Sequence, residues 1–314
     1  MERQLIVSQL FERNRERLQL EWISGSLTRM ISASQEYTAP ADLIGHFNLM
    51  HPERVQVIGA PELAWAARKA PEKVARHMRT IFSANPPLVI VADGCEVSEG
   101  MRQGCAESDT PLLKTPLPAA YVIDTLRTFV ARQLAETVAL HGVFMDVLGM
   151  GVLITGDSGA GKSELGLELI SRGHGLVADD VVDVSRISLD VLEGRCPPLL
   201  RDFLEVRGLG ILNIRTVFGE SACRRRMRLR LVIHLHKSQP GMPEATRLPL
   251  DAETHQILGV EVRRVIIPVA AGRNLAVLAE AAVRTTILQL RGIDTTLEFV
   301  ERQQQALGDQ DAMH

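Results

Sequence analysis

The sequence predicts a two-domain α/β protein whose second domain is built around a phosphate-binding loop. Three observations carry that prediction. The chain has 314 residues, enough for two domains of about 100–200 residues each. Residues 55–93 read as strand, helix and strand in succession, the order of a βαβ unit. Residues 151–170, GVLITGDSGAGKSELGLELI, run from an apolar strand through a glycine-rich turn into a helix. That arrangement holds phosphate oxygens.

Composition narrows the class. Hydrophobic residues make up 46% of the chain, ample for two cores, and the net charge is −3. No global basic field favours nucleic acid or an anionic membrane surface. The four cysteines, Cys95, Cys105, Cys196 and Cys223, have no CxxC spacing, so they read as buried thiols in a reducing compartment. The opening MERQLIVSQLFERNRERLQLEW carries charges through its apolar positions and has no signal-peptide core. No uncharged apolar stretch reaches about 18 residues. These features predict a soluble, cytoplasmic protein with no membrane or nucleic-acid partner.

Along the first domain, placed at 1–130, VQVIGA (55–60) reads as a strand. PELAWAARKAPEKVARHMRTIF (61–82) reads as helix, started at Pro61 and broken or restarted at Pro71. PPLVIVAD (86–93) reads as a short buried strand. PLLKTPLPAAY is proline-rich, and YVIDTLRTFVARQLAETVAL (121–140) then reads as one long helix beside the domain boundary. The second domain, 131–314, opens with VFMDVL and GVLIT, a hairpin with Gly149 and Gly151 at its turn. LVADDVVDVSRI, MRLRLVIHLHK and VRRVIIPVA read as strands, and NLAVLAEAAVRTTILQLRG as a helix. No repeat or low-complexity tract interrupts them.

The loop completes the GxxxxGK[ST] pattern with Gly156, Asp157, Ser158, Gly159, Ala160, Gly161, Lys162 and Ser163. Its glycines let backbone N–H groups turn inward around phosphate. Lys162 supplies a mobile charge for the outer phosphates, and Ser163 a hydroxyl for Mg2+. Asp179 and Asp180 end an apolar run. On a strand, neighbours face opposite ways, so one carboxylate would serve metal and nucleotide while the other meets the acceptor or a structural partner; the alternative is a pair of turn aspartates at a strand end. Glu205 and Arg207 precede Gly208 and Gly210, a charged pair on a flexible turn. His141, alone, reads as structural, and Asp146 as either a metal ligand or a solvent-facing strand position. Arg228 and Arg230 alternate with Leu229 and Leu231 and read as a solvated strand face, with a site for an acidic partner as the alternative. The loop by itself leaves three outcomes open: transfer to a protein, transfer to a metabolite, or nucleotide sensing without transfer.

Four segments occur in order: HGVFMDVLGMGVLITGDSGAGKSELGLELISRGHGLVADD, EVRGLGILNI, ATRLPL and PVAAGRNLAVLAE. Together they resemble the HPr kinase/phosphorylase family, bacterial enzymes that phosphorylate a regulatory serine of the phosphocarrier HPr. The resemblance covers nearly the whole chain, and EVRGLGILNI is its most specific part. It implies an N-terminal accessory domain and a P-loop kinase domain resembling nucleotide-dependent phosphoenolpyruvate carboxykinase. The absence of HRDLxxxN-like and DFG motifs separates the chain from eukaryotic protein kinases. The resemblance also implies ATP as donor, Mg2+ as cofactor and HPr as protein substrate. Lys162 would contact the β- and γ-phosphates, and Ser163 and Glu205 would bind Mg2+. Asp180 would take and return the serine proton, with Asp179 supporting the metal site. His141 and Arg247 would belong to the active site. Residues 205–214 would serve both directions, and 268–273, with Arg273, mainly dephosphorylation. The reverse route would consume inorganic phosphate and release pyrophosphate. A homohexamer, a C-terminal helix gripping HPr, and a role in phosphotransferase-system regulation of carbon metabolism follow from the same resemblance. Many family members carry arginine and proline where this chain has Ala270 and Ala271. A lost guanidinium would weaken capture of phosphate.

Overall fold

The structure is a computed structural model that describes residues 3–33, 40–48, 50–237, 253–270 and 272–311. The chain divides into two compact units, Met1–Ala135 and Glu136–His314.

The first unit holds a five-stranded sheet in the order Glu21–Ser24, Leu112–Lys114, Val89–Val91, Val55–Ile58, Ile44–His46. Its last four strands are parallel. The helical segment between Val55–Ile58 and Val89–Val91 is divided into Ala60–Ala67 and Pro71–Ser83, each with proline in its first turn. Proline costs nothing there, because the first N–H groups of a helix have no partner within it. Leu10, Leu18, Val57, Ile90, Val122 and Leu126 pack on one side of the sheet, and Phe82, Met101 and Cys105 on the other.

One element differs from the sequence expectation. The helix expected over 121–140 is Ala119–Gln133, and Glu136–His141 is a strand paired antiparallel with Val181–Ser188. Helical and strand preferences around Ala135–Val138 are weak on their own, and ladder pairing decides them.

The second unit is built on a nine-stranded mixed sheet. Val143–Val147 and Met150–Gly156 form the predicted hairpin, with Leu153 opposite Phe144. Leu148 and Gly149, both at positive φ (55° and 81°), make its two-residue turn. Met150–Gly156, the long strand Arg226–Lys237 and Val260–Val269 lie side by side in parallel. Their carboxyl ends therefore share one edge, the place where open α/β sheets receive ligands. Helices Lys162–Ser171 and Leu275–Leu290 cover one face, burying Leu165, Leu169, Ile233, Leu235, Ala279 and Val283. Phe144, Leu153, Val232 and Val262 fill the other face. Among the described residues, no helix is long and apolar enough to cross a membrane.

Candidate active site

The strand Met150–Gly156 delivers the chain to the shared edge, where it must turn sharply. Gly156 does so at φ 143°, and a Cβ there would lie 2.5 Å from the Leu235 carbonyl oxygen of the adjacent strand. Only glycine fits. Gly161, at φ 90°, caps the helix Lys162–Ser171, so its N-terminal N–H groups open toward the loop. Ala160 is buried in the core and its N–H donates to the Asp157 carbonyl at 3.1 Å. Lys162 Nζ donates to the carbonyls of Gly156 (2.8 Å) and Asp157 (3.1 Å). Lys237 Nζ, at the end of the neighbouring strand, donates to the Ser158 carbonyl at 3.3 Å. Two ammonium groups thus bracket one loop. With His141, Asp179, Asp180, Glu205 and Arg207, the loop walls a cleft of about 700 Å³. Asp157 and Ala160 shape the loop without walling the cleft.

The two adjacent aspartates part company. Asp179 is 7% exposed. It accepts hydrogen bonds from Ser163 Oγ at 3.3 Å and from the Glu205 N–H at 2.9 Å. Burial pushes its carboxyl above the ordinary aspartate range, and those hydrogen bonds oppose the rise. The Asp180 side chain is 74% exposed and lies 3.7 Å from the equally open His141, Oδ1 to Nδ1. The expected strand alternation does not cause this divergence. LVADDVVDVSRI is two strands, Gly175–Ala178 and Val181–Ser188, with the aspartates in the bend between them. Asp180 sits at φ 64°, and the Val181 N–H donates across it to the Asp179 carbonyl at 2.8 Å. That is a γ-turn of the strained, positive-φ kind. The Asp180 carbonyl accepts from the Gly142 N–H at 3.0 Å, tying the turn to the strand that carries His141.

Glu205 and Arg207 stand on the hairpin Phe203–Val206 and Gly210–Asn213. Leu204 and Val206 point into the core, so period-2 alternation aims Glu205 and Arg207 away from it. Arg207 Nη1 comes within 3.7 Å of the position a Cβ on Gly159 would take. At the hairpin's base, Arg215 Nε pairs with Asp202 Oδ2 at 2.9 Å, and the Ile214 N–H donates to the Asp202 carbonyl at 2.8 Å.

Other sequence candidates lie elsewhere. Asp146 is no metal ligand: it pairs with Arg224 Nε at 2.9 Å and accepts from the Gly149 N–H at 2.9 Å. Arg247 and Ala271 fall outside the described residues. Arg273 is exposed and follows Val260–Val269 at the same sheet edge, two strands from the loop and off the cleft wall. Lys237 escaped the sequence reading, because its nearness to the loop depends on strand register.

Ser163, Asp179 and Glu205 present hard oxygen donors of the kind Mg2+ accepts. Among the described residues, no three His, Cys, Asp or Glu side chains converge enough to hold an ion by themselves. An ion here would complete its shell with phosphate oxygens and water, the usual habit of Mg2+.

Comparison with known proteins agrees over both units. Residues 5–130 match the family described as HPr Serine kinase N terminus, and residues 132–303 the HPr Serine kinase C-terminal domain. A protein of Aromatoleum aromaticum named HPr kinase/phosphorylase is 61% identical over 305 residues, covering 97% of each chain. One of the same name from Azoarcus sp. is 61% identical over 312 residues, covering 99% of this chain and 100% of its own. Another, from Burkholderia cenocepacia, is 53% identical over 307 residues, covering 96% of this chain and 95% of its own. A solved structure of the Hpr(Ser) kinase/phosphatase from Coxiella burnetii is 37% identical, covering 52% of this chain and 98% of that one, with a TM-score of 0.46.

Proposed function

The chain belongs to the HPr serine kinase family, and from that premise we propose how its residues transfer phosphate to and from a serine of HPr. The enzyme is a protein-serine kinase and phosphorylase. ATP is the donor in the forward direction. Residues 131–314 form the catalytic domain in this reading, and 1–130 an accessory domain.

The observation that carries the residue assignment is the division of labour between Asp179 and Asp180. One carboxylate is buried against Ser163 and the Glu205 backbone; the other is exposed beside His141 on the same cleft. Phosphoryl transfer needs positioning and charge neutralisation more than covalent catalysis. The loop N–H groups, Lys162 and the helix N-terminus hold the β- and γ-phosphates. Ser163, Asp179 and Glu205 would hold Mg2+, which when bound neutralises phosphate oxygens. The serine oxygen attacks the γ-phosphorus, the bond to the β-phosphate breaks, and ADP leaves. Asp180 takes the serine proton, and His141 steadies that carboxylate. In reverse, an oxygen of inorganic phosphate attacks the phosphoserine phosphorus. Asp180 returns a proton to the departing serine oxygen, and pyrophosphate is released. Arg207, on the cleft wall, supplies a guanidinium for the incoming phosphate or the phosphoserine, and the family resemblance assigns Arg247 and Arg273 to the same task. Ala270 and Ala271 leave that group one arginine short of the family pattern.

The reading extends to a cytoplasmic homohexamer serving phosphotransferase-system control of carbon metabolism. Four free cysteines are in keeping with a reducing compartment. The test is phosphate transfer to purified HPr with ATP and Mg2+, then inorganic phosphate on the purified product. Serine labelling that phosphate reverses with pyrophosphate release is the expected result. Labelling without reversal would confine the chain to the kinase direction and implicate Ala270 and Ala271. Tight ATP binding with no labelling would overturn HPr as acceptor.

A further inference from the structure

Three consecutive carbonyls of the phosphate loop are held by ammonium groups. Lys162 takes those of Gly156 and Asp157, at 2.8 and 3.1 Å, and Lys237 takes that of Ser158, at 3.3 Å. The two lysines stand differently. Lys162 opens the helix that leaves the loop and walls the cleft, so it must let go of its carbonyls to reach a bound phosphate. Lys237 does not wall the cleft. It closes the strand Arg226–Lys237, whose end is paired on both sides: Leu235 lies opposite Gly156, and Lys237 opposite Val269. Its side chain therefore starts from a fixed backbone.

The carbonyl that Lys237 holds belongs to the part of the loop most able to turn over. The Ala160 N–H donates to the Asp157 carbonyl at 3.1 Å, so residues 157–160 form a β-turn. Of its two central residues, only Gly159 has a positive φ, 69°. That is the pattern of a type II turn. Types I and II differ by rotation of the central peptide, here the Ser158 carbonyl and the Gly159 N–H. In a planar trans peptide the two groups point in opposite directions, so a hold on the carbonyl also aims the N–H. Gly159 lies on the cleft wall, and its N–H is one of those a loop of this kind turns toward phosphate. Lys237 Nζ and Arg207 Nη1 come within 3.5 and 3.7 Å of the position a Cβ on Gly159 would take. Of these two cations, only Arg207 faces the cleft.

We propose that Lys237 is a positioning residue of the phosphate loop. By holding the Ser158 carbonyl it keeps the Gly159 N–H aimed at the nucleotide, and it stays in place when Lys162 moves to the phosphates. The inference rests on the reading of this loop as the nucleotide site.

Calorimetric titration of ATP and of ADP, with Mg2+, into the full chain and into Lys237→Met tests it. Methionine keeps most of the stem and removes the donor. Both nucleotides should weaken by about fivefold, and by the same factor, because the turn serves phosphates that they share. Lys237→Arg keeps a charged donor and should return ATP affinity to within about twofold of the parent. In transfer to HPr, the KM for ATP of Lys237→Met should rise by the same factor while kcat stays within about twofold. Lys237 is exposed, so both variants should melt with the parent. A loss confined to ATP would put Lys237 on the γ-phosphate and overturn the positioning role. So would unchanged affinity for both nucleotides, or a Lys237→Arg variant as weak as Lys237→Met. A parent that binds ATP beside an unaffected Lys237→Met overturns the role of Lys237 alone. A parent that binds neither nucleotide overturns the reading of the loop, and this inference with it.

Discussion

At Asp180 a single backbone angle places the carboxylate that the proposed mechanism uses as its base. A non-glycine residue at φ 64° carries a steric cost of about 1 kcal/mol, and the turn it forms is what swings the carboxylate out beside His141. Replacing it by glycine removes both the cost and the carboxylate. Asp180→Gly is therefore expected to be as stable as the parent, or about 1 kcal/mol more stable in urea titrations. It should lose about a hundredfold or more of its transfer rate while keeping ATP affinity. A clear loss of stability instead would make the carboxylate structural. Asp179 has the opposite environment, and its behaviour with pH follows from that. Burial raises its pKa, so the folded protein holds this proton more tightly than the unfolded chain. The group then favours folding at low pH, and that contribution fades as pH rises through the unfolded value toward the folded one. Without metal, the stability of the parent relative to Asp179→Asn should fall as pH increases across the carboxylate range. A rise would mean that the hydrogen bonds from Ser163 and Glu205 outweigh burial. The glycines and Lys-Ser pair of the loop were legible in the sequence because their requirements are local. Lys237 was not, since its place beside Ser158, 79 residues away in sequence, depends on pairing between the two strands.

Among the elements, the hairpin Phe203–Asn213 places Glu205 and Arg207 on the cleft while its buried Leu204 and Val206 anchor it. Its two ends are clasped by Arg215 and Asp202, and Arg215 also reaches Glu220 at 2.9 Å. If the clasp sets the hairpin's position, Arg215→Ala should lower the transfer rate by about tenfold through misplacement of Glu205 and Arg207. ATP affinity should change little, since the loop and its helix are untouched. An unchanged rate would show that Leu204 and Val206 fix the hairpin unaided. From spacing alone this hairpin was legible only as a charged pair with two glycines, and it took the family resemblance to mark EVRGLGILNI as part of the site; nothing in the sequence shows that its backbone N–H at Glu205 binds Asp179. The helix expected to run to residue 140 failed for a related reason. Residues 136–141 take their state from the strand Val181–Ser188, a partner that local periodicity does not reveal. Elements with strong internal patterns, such as Arg226–Lys237 and Leu275–Leu290, were legible from their spacing alone.

On the scale of the whole molecule, each unit carries its own buried clusters, Leu10 to Leu126 and Ile58 to Leu112 in the first, Val143 to Val283 and Phe144 to Val262 in the second. A unit with its own core can fold alone. The division at Ala135 and Glu136 also decides where a fragment must begin. Starting at residue 142 would discard the strand Glu136–His141, and with it His141 and the ladder that supports Val181–Ser188. A fragment of residues 136–314 retains the loop, the aspartate turn and the hairpin. It should unfold cooperatively in denaturant, bind ATP within a few-fold of the full chain, and phosphorylate HPr. Cooperative unfolding with ATP binding but no transfer would assign the first unit a part in presenting the protein substrate. A fragment without a cooperative transition would mean that the second core depends on residues 1–135 for its stability.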